Sequence, residues 1–354
     1  MLNYRKKTIV ILSLLFSMFV IFACTAESTS SGSGSGSNTL TTIIDRGELV
    51  CGVNDNLTGF GVVNSAGQFE GFDIDFCKAV AAAILGDAGK VEYVPLTASA
   101  RFEALAANEI DILIRNTTWT ASRDRDLGND FTAPTFYDGQ GMMVKASSGY
   151  DSIESMAGAT VCVLQGTTTE LNLDDRFTGM DYTPLTFETN DPLQAAYEEG
   201  RCDGWTTDKS GLASKRAGFS TPSDHVVLAE TLSKEPLGPL TRDNDSELYD
   251  VVQWVVFGMM QAEESGITSS NVSSMASNPS DPGMARLLGV GFDGGEPSDF
   301  GFGIDVDFMQ NVITQVGNYG EVYERHLVPL GLTREGSLNA QWTEGGLIYA
   351  PPFR

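Results

Sequence analysis

The sequence predicts an α/β protein made of two strand–helix units in series. Short apolar runs typical of buried strands alternate with helical segments, and this alternation occurs twice along the chain. An extended, glycine-containing segment at 137–147, YDGQGMMVKAS, separates the two rounds and can act as a hinge. The chain has 354 residues, of which 42% are hydrophobic, so it can bury the cores of about two domains.

The first unit contains predicted strands at 48–53, 91–96 and 111–114 and predicted helices at 71–86 and 99–110. Asp73 is expected to cap the first of these helices and Gly86 to end it. The run Ile112–Ile114 is apolar throughout, so we expect this strand to be buried on both faces of a parallel sheet.

The second unit contains predicted strands at 159–164, 182–187 and 202–208 and predicted helices at 165–173 and 191–200. Asp191 is expected to cap the second of these helices, with Pro192 in its first turn. The chain then returns through a segment rich in Pro and Gly, at 232–245, to a long predicted helix at 246–265. Residues 268–354 are expected to form a packing extension with helical pieces.

Charge and metal-ligand patterns exclude two classes of function. The chain carries 22 basic and 47 acidic residues, a net charge of −25, so it has no basic surface for nucleic acid. The two histidines, His225 and His326, have no ligand-like neighbours, and there is no CxxC pair. We therefore expect neither a metal ion nor another cofactor.

The N-terminal segment has the pattern of an export signal. Basic residues at 5–7 precede an apolar run at 8–23, which predicts a signal peptide over 1–23 or a short membrane anchor. Cys24 follows in a context that resembles a bacterial lipobox, so we expect it to be the lipidated N-terminus of the mature protein. The Ser/Gly-rich stretch at 24–39 is then a flexible tether, and the folded part lies outside the cytoplasmic membrane. An uncleaved anchor and a simple secreted protein are the alternatives.

Four further cysteines, Cys51, Cys77, Cys162 and Cys202, are compatible with two disulfides in an oxidising compartment. Their three possible connectivities, and four buried free thiols, stay open at this point.

The stretch ILIRNTTWTASRDR (112–125) places hydroxyl and amide groups at the end of a strand, where open α/β sheets bind ligands. In an extended chain Asn116, Thr118 and Thr120 point to one side, and Arg123 follows them. A guanidinium matches a carboxylate in bidentate geometry, so the stretch predicts a carboxylate site. A surface arginine beside a Thr-rich strand end is the alternative.

The second unit offers a complementary group. Gly166, Thr167 and Thr168 begin a predicted helix after a strand, and N–H groups and hydroxyls there favour an anion. Asp208 ends another strand, where its carboxylate can receive an ammonium group or cap the helix that begins at Lys209. An anion receptor facing a cation receptor across a hinge is what an α-amino acid requires.

Several motifs resemble the substrate-binding proteins of polar amino-acid ABC transporters, the family 3 solute-binding proteins, in the general L-amino-acid-binding branch. They are GFDIDFCKAVAAAI, RNTTWTASRDR, LQGTTTELNL, CDGWTTD, EPLGPLTR and GGLIYAPPFR, in this order between residues 40 and 354. The resemblance implies a type II periplasmic-binding-protein fold, with two α/β lobes joined by two crossover hinge strands and a C-terminal helical extension. The implied bounds are 40–138 for the first part of lobe 1, 139–236 for lobe 2, and 237–354 for the return to lobe 1 and the extension.

The same resemblance implies roles for individual residues. It implies that Arg123, Thr118 and Thr120 bind the ligand's carboxylate. Thr167 and Thr168 supply contacts from the second lobe, and Asp208 binds the ligand's ammonium group. Many relatives carry an Asp where this chain has Asn54 and an aromatic residue where it has Leu57, while Phe60 matches an aromatic position. The full set of expected ligand contacts is Asn54, Phe60, Asn116, Thr118, Thr120, Arg123, Gly166, Thr167, Thr168 and Asp208. Trp119 alternates away from Thr118 and Thr120, which favours core packing over ligand stacking.

The expected function is an extracytoplasmic lipoprotein that binds free L-amino acids and delivers them to the permease subunits of an ABC importer. The rivals are a sensor-associated binding protein and a dehydratase-like enzyme on the same fold. An enzyme needs a general acid or base, and the expected pocket contains one Asp with no His or unpaired Glu. The wall of the pocket, including Leu57 and Ala98, is expected to set side-chain specificity.

The two-lobed arrangement selects one disulfide connectivity. A crosslink between lobes would oppose movement of the hinge, so we expect the pairs Cys51–Cys77 and Cys162–Cys202, each within one lobe.

Overall fold

The computed structural model describes residues 38–354, which form two α/β lobes. The first lobe contains a five-stranded sheet in the order β5-β1-β6-β14-β7, and the second contains the order β10-β9-β11-β8-β12, with β13 paired to β8. A small sheet, β2-β3-β4, completes the strands. The strands are β1 (Leu49–Val53), β2 (Asn56–Leu57), β3 (Gly61–Val63), β4 (Phe69–Glu70), β5 (Val91–Pro95), β6 (Ile112–Leu113), β7 (Asn129–Phe131), β8 (Phe136–Lys145), β9 (Thr160–Leu164), β10 (Thr183–Phe187), β11 (Gly204–Asp208), β12 (His225–Val227), β13 (Lys234–Leu237) and β14 (Leu240–Arg242).

The helices cover the faces of both sheets and continue into the C-terminal part of the chain. They are α1 (Thr39–Arg46), α2 (Phe72–Leu85), α3 (Arg101–Ala106), α4 (Ala121–Arg125), α5 (Thr168–Arg176), α6 (Asn190–Glu198), α7 (Lys209–Ala217), α8 (Ser246–Glu264), α9 (Val272–Ser277), α10 (Pro282–Leu287), α11 (Phe308–Gln315) and α12 (Tyr319–His326). Within 38–354, no helix combines the length and apolar character needed to cross a membrane. The predicted signal peptide and Cys24 lie outside the described residues.

The first lobe has the parallel arrangement expected from the alternation of strands and helices. β1 pairs in parallel with both β5 and β6, and β6 is fully buried as its apolar sequence predicts. Helix α2 ends at Gly86, which adopts the left-handed conformation at φ 71°. The expected cap at Asp73 is wrong, because Gly71 is the N-cap residue and Asp73 lies inside the first turn. Asp73 is buried and accepts a hydrogen bond from the backbone N–H of Asn116 at 2.7 Å.

The second lobe repeats the parallel core, and in both lobes the sheet continues into antiparallel strands. β9 pairs in parallel with β10 and β11, whereas β8 runs antiparallel to β11. The expected cap at Asp191 is also wrong, because α6 begins one residue earlier and Thr189 is its N-cap residue. Pro192 lies in the first turn as expected, where its missing N–H breaks no helical bond.

Two strands connect the lobes. β8 and β13 pair antiparallel over four residues, with Glu235 opposite Asp138, and β14 then joins the sheet of the first lobe. These strands occupy the positions of the two crossover hinge strands that the resemblance implies. The lobe boundaries expected at 138/139 and 236/237 fall within this paired region.

Each lobe contains one disulfide. Cys51 is joined to Cys77, with their Cα atoms 6.2 Å apart, and Cys162 is joined to Cys202, with their Cα atoms 5.7 Å apart. These are the pairs expected from the sequence, and both link elements of a single lobe, so they leave the crossover strands free of covalent restraint.

The C-terminal extension packs on the first lobe. Its helices α11 and α12 contribute to the same hydrophobic core as α2 and α8. The Tyr319 hydroxyl donates to the carbonyl oxygen of Thr135 at 2.9 Å. Asn339 bonds both backbone groups of Tyr137, accepting from its N–H at 2.7 Å and donating to its carbonyl oxygen at 3.0 Å. The extension therefore holds the first residues of the crossover strand β8 against lobe 1.

Candidate functional site

A cavity lies between the two lobes, at the carboxyl ends of their strands. Six of the expected ligand residues line it: Asn54, Asn116 and Thr118 from the first lobe, and Thr167, Thr168 and Asp208 from the second. Leu57 and Ala98, expected to form its wall, line it as well. The remaining four expected residues, Phe60, Thr120, Arg123 and Gly166, do not reach this lining.

The chain after β6 does not follow the strict alternation expected from an extended strand. Asn116 adopts a positive φ of 30°, and its side-chain oxygen accepts a hydrogen bond from the amide of Asn54 at 3.0 Å. Thr120 turns away to cap α4, where its hydroxyl accepts from the Arg123 N–H at 3.3 Å. Trp119 is 40% exposed and stacks on Phe131 with ring centroids 6.0 Å apart, so it packs on the surface rather than in the core.

A carboxylate of the chain itself binds the hydroxyls of Thr118 and Thr168, which together form the hydroxyl row of the cavity. Glu235, on the crossover strand β13, is buried and accepts from the hydroxyls of Thr118 at 2.6 Å and Thr168 at 2.7 Å. Asn172 donates to its other oxygen at 3.1 Å. Because Thr118 and Thr168 belong to different lobes, Glu235 bridges the lobes from the hinge.

Arg123 lies directly behind this hydroxyl row. Its guanidinium donates to the carbonyl oxygen of Thr118 at 3.0 Å and stands 5.2 Å from the ring centre of Phe102. Burial lowers the pKa of Arg123, and the nearby carboxylates of Glu235 and Asp208 oppose that shift. The arginine is thus close to the site but shielded from the cavity by Thr118.

Asp208 is a buried carboxylate without a capping role. It occupies the N-cap position of α7, but its side chain makes no capping hydrogen bond. It is 7% exposed and lines the cavity. Burial raises its pKa well above the usual 3.8, and repulsion from Asp138 and Glu235 adds to the shift. Of the two roles considered for Asp208, this geometry favours a cation receptor over a helix cap.

Three other expected residues have structural roles, two in the second-lobe turn and one in the first-lobe core. The Gly166 N–H donates to the side chain of Glu170 at 2.8 Å, so it is not offered to the cavity. Thr167 is the N-cap residue of α5, and its hydroxyl accepts from the Glu170 N–H at 3.0 Å. Phe60 is fully buried in edge-to-face contact with Phe72 and Phe136, so the core rather than the cavity receives it.

Direct contacts hold the lobes together around the cavity. The Asn56 side chain donates to Asp191 at 2.6 Å and accepts from Lys215 at 2.8 Å. Ser99 contacts Glu188, and Gly166 packs so closely on Ser99 that an added Cβ would lie 2.9 Å from the Ser99 Cα. The described conformation is therefore a closed one.

Sequence reasoning missed three cationic residues of the lining, Arg101, Arg115 and Lys215. Arg101 and Arg115 follow the carboxyl ends of β5 and β6, so the rule that located the site could have identified them. Across residues 38–354, no group of three or more His, Cys, Asp or Glu side chains is arranged to hold a metal ion.

Comparison with known proteins gives matches along most of the chain. Residues 49–267 match the family model of bacterial extracellular solute-binding proteins, family 3. The glutamate/glutamine/aspartate/asparagine-binding protein BztA of Rhodobacter capsulatus is 48% identical, covering 90% of this chain and 94% of that protein. The general L-amino acid-binding periplasmic protein AapJ of Rhizobium johnstonii is 46% identical, covering 90% and 93%.

A solved structure has the same architecture. An ABC transporter periplasmic binding protein from Brucella ovis, with glutathione bound, is 46% identical and superposes with a TM-score of 0.85. The match covers 90% of this chain and 99% of that one, so it includes both lobes and the C-terminal extension. The family resemblance and the two-lobed fold expected from the sequence are confirmed.

Proposed function

The chain belongs to the bacterial extracellular solute-binding proteins of family 3, and we propose that it binds a free L-amino acid for delivery to an ABC importer. The names of its relatives BztA and AapJ support an amino acid as the ligand. The observation that carries the proposal is Asp208, a buried carboxylate on the cavity with no cationic side chain within 4.0 Å among the described residues. An α-ammonium group supplies the missing positive charge.

The hydroxyl of Thr118 completes this ammonium site. Its only proton is donated to Glu235, so the oxygen of this cavity-lining residue is left as an acceptor. An ammonium group has three donors and no acceptor, which suits Asp208 and Thr118 together. This assignment differs from the sequence expectation, in which the hydroxyls of Thr118 and Thr120 bind the ligand's carboxylate together with Arg123.

In this proposal Arg123 binds the ligand's α-carboxylate, as the family resemblance implies. Arg123 uses one N–H for the Thr118 carbonyl oxygen, and a guanidinium has five such donors. Binding through the others requires Thr118 to move from the position in which it separates Arg123 from the cavity. The ligand then contacts the first lobe through Arg123 and the second through Asp208, so binding favours the closed state.

A thermal-shift screen of the twenty amino acids tests the proposal. A ligand at a hundred times its dissociation constant stabilises the folded state by about 2.7 kcal/mol, which raises the melting temperature by several degrees. We expect such a shift with at least one L-amino acid and none with its D-enantiomer. A folded protein that shifts with no amino acid at millimolar concentration would refute the proposal.

Binding without turnover distinguishes this function from that of an enzyme. Asp208 has the raised pKa that a general acid can use, so a catalytic role deserves a direct measurement. We expect mass spectrometry to recover the accepted amino acid unchanged after prolonged incubation. A new product that disappears in Asp208→Asn would identify a dehydratase-like enzyme instead.

Anchoring through Cys24 is part of the proposed function. The basic, apolar and Cys24 pattern supports cleavage after residue 23 and lipid attachment, which would keep the protein near the permease subunits. Cys24→Ser is therefore expected to release the protein from membranes, as fractionation and intact-mass measurement would show. Unchanged processing and membrane retention in this variant would contradict the lipobox interpretation.

Closure of the cleft depends on Gly166. An alanine there meets the Ser99 backbone across the lobes, so we expect Gly166→Ala to weaken amino-acid binding roughly tenfold or more in calorimetry. Gly179→Ala is the matched control, because Gly179 has a similar positive φ, 81° against 73°, with nothing within 4 Å of an added Cβ. Both variants carry the backbone strain, but only Gly166→Ala obstructs closure. Equal affinities would show that the Gly166–Ser99 contact does not govern binding.

A further inference from the structure

Two buried guanidinium groups on the cavity are left without an ion-pair partner by the proposed ligand contacts. Arg101 and Arg115 line the cavity at 3% and 6% exposure. In residues 38–354, no carboxylate lies within 4.0 Å of either guanidinium. Charged side chains are seldom buried without a partner, because removal from water is costly.

Most of the hydrogen-bonding capacity of these arginines is also unused. Arg101 makes one long hydrogen bond, from Nη1 to the Thr117 hydroxyl at 3.4 Å, and its buried Nε has no partner among the described residues. Arg115 donates from Nε to the carbonyl oxygen of Leu96 at 2.7 Å, which leaves its terminal nitrogens for other contacts. Five donors in a planar fork are suited to an anion with two oxygens.

The charge balance of the cavity points to the same kind of group. Its lining contains the cations Arg101, Arg115 and Lys215 and the single carboxylate Asp208. The whole chain has a net charge of −25, so the lining differs in sign from the chain as a whole, while the buried carboxylate of Glu235 accepts hydrogen bonds from the lining residues Thr118 and Thr168. A zwitterionic amino acid adds one charge of each sign and leaves the excess of positive charge in place. A ligand with a second carboxylate reduces it.

Nearby charges make this arrangement costly in the absence of an anion. Burial lowers the pKa of Arg101 well below its usual value, repulsion from Arg123 and Arg115 lowers it further, and the carboxylates of Asp208 and Glu235 oppose the shift. Burial also lowers the pKa of Arg115 to about 10, although the carboxylates of Asp73 and Asp55 oppose that shift. An anion placed between Arg101 and Arg115 would relieve both effects.

We propose that Arg101 and Arg115 form a receptor for a side-chain carboxylate, so that the preferred ligands are acidic α-amino acids. This inference rests on the proposed function, because it takes the α-ammonium group at Asp208 and the α-carboxylate at Arg123 as given. The cavity then binds three charged groups of one ligand. The first lobe binds the two carboxylates, and the second lobe binds the ammonium group.

Calorimetry with glutamate and glutamine tests the receptor, because the two ligands differ only in a carboxylate against an amide of the same shape. We expect the wild-type chain to bind glutamate at least tenfold more tightly. We expect Arg101→Gln and Arg115→Gln each to weaken glutamate binding by roughly 10- to 150-fold, the range for a hydrogen bond to a charged group. Glutamine binding should change by less than about threefold. Arg125→Gln, on the exposed face of α4, is the control and should alter neither affinity.

The outcomes separate this inference from the proposed function. Wild-type affinities that are equal, or that favour glutamine, would overturn the receptor without any variant, even if a variant fails to fold. Equal losses of glutamate and glutamine in Arg101→Gln would place the α-carboxylate at Arg101 and overturn the receptor as well. If the wild-type chain binds none of the twenty amino acids, the proposed function fails, and the receptor fails with it.

Discussion

Asp208→Asn is expected to abolish most of the affinity for every accepted amino acid while leaving the protein folded. The substitution keeps the shape of the side chain but removes the charge that faces the ligand's ammonium group. Removing one partner of a buried charged pair costs roughly 2–5 kcal/mol, which corresponds to a loss of roughly 30-fold to several thousand-fold in affinity. The loss should be the same for acidic, amide and apolar ligands, because all share the α-ammonium group.

The same variant has a second signature, in stability without ligand. The pKa of Asp208 is raised above its unfolded value, so the folded state binds more protons than the unfolded state at pH values between the two. Asp208 therefore costs stability as the pH rises above about 4, the unfolded pKa of an aspartate. We expect Asp208→Asn to melt at a higher temperature than wild type at neutral pH, with the difference vanishing in acid.

Thermal melts from pH 4 to pH 8, with calorimetry at pH 7, measure both effects. Asp224→Asn is a suitable control, because Asp224 is exposed in the same lobe and lies outside the cavity lining. If Asp208→Asn retains wild-type affinity, the ammonium group binds elsewhere. The opposite result is that Asp208→Asn melts at a lower temperature than wild type at neutral pH, with a smaller difference in acid. In that case Asp208 stabilises the folded state and is not an unpaired carboxylate that binds a ligand.

The parts of the fold that follow local rules were predictable from sequence. Strands β1 and β6 are apolar runs, β5 is rich in β-forming residues, and all three alternate with helical segments, from which their parallel pairing follows. Asp208 could be located because it ends a strand, and the disulfide pairs because a crosslink between lobes would oppose hinge movement. Each of these inferences uses neighbours in the chain or one property of the whole architecture.

Glu235 could not be found in this way. Its hydroxyl partners Thr118 and Thr168 are 117 and 67 residues away in sequence, and only the closed fold brings them to the crossover strand. Thr120 was misplaced for a local reason, since it caps α4 instead of continuing the alternation that an extended strand would show. Arg101 and Arg115 were missed although they follow strand ends. An arginine in the sequence does not show whether its side chain is buried or exposed to solvent.

Arg123→Ala is the second change expected to remove nearly all binding. Arg123 is 7% exposed, and the proposed ligand presents its α-carboxylate to it. We expect a loss of roughly 30-fold to several thousand-fold for every accepted amino acid, on the same grounds as for Asp208. Arg125→Ala is the matched control, since Arg125 lies on the same helix but is exposed, where its charge is screened.

A loss of affinity alone does not show that Arg123 touches the ligand, because the arginine also faces the buried carboxylate of Glu235. A double cycle with an amino-acid methyl ester separates the two roles. The ester lacks the α-carboxylate charge, and at mildly acidic pH it keeps its ammonium group. We expect esterification to weaken binding strongly in the wild-type chain and to cost little more in Arg123→Ala, because the group that reads the carboxylate is already gone.

Glu235→Gln completes the cycle. If Arg123 acts by neutralising Glu235, then Arg123→Ala should do far less harm when Glu235 is already replaced by Gln, and esterification should cost the same in both Arg123 backgrounds. If Arg123 binds the ligand's α-carboxylate directly, Arg123→Ala should still weaken binding strongly in the Glu235→Gln background. The affinity lost on esterification should then depend on whether Arg123 is present. Equal binding of ester and free acid by the wild-type chain would show that no residue of the cavity recognises the α-carboxylate, and the assignment of Arg123 would be wrong.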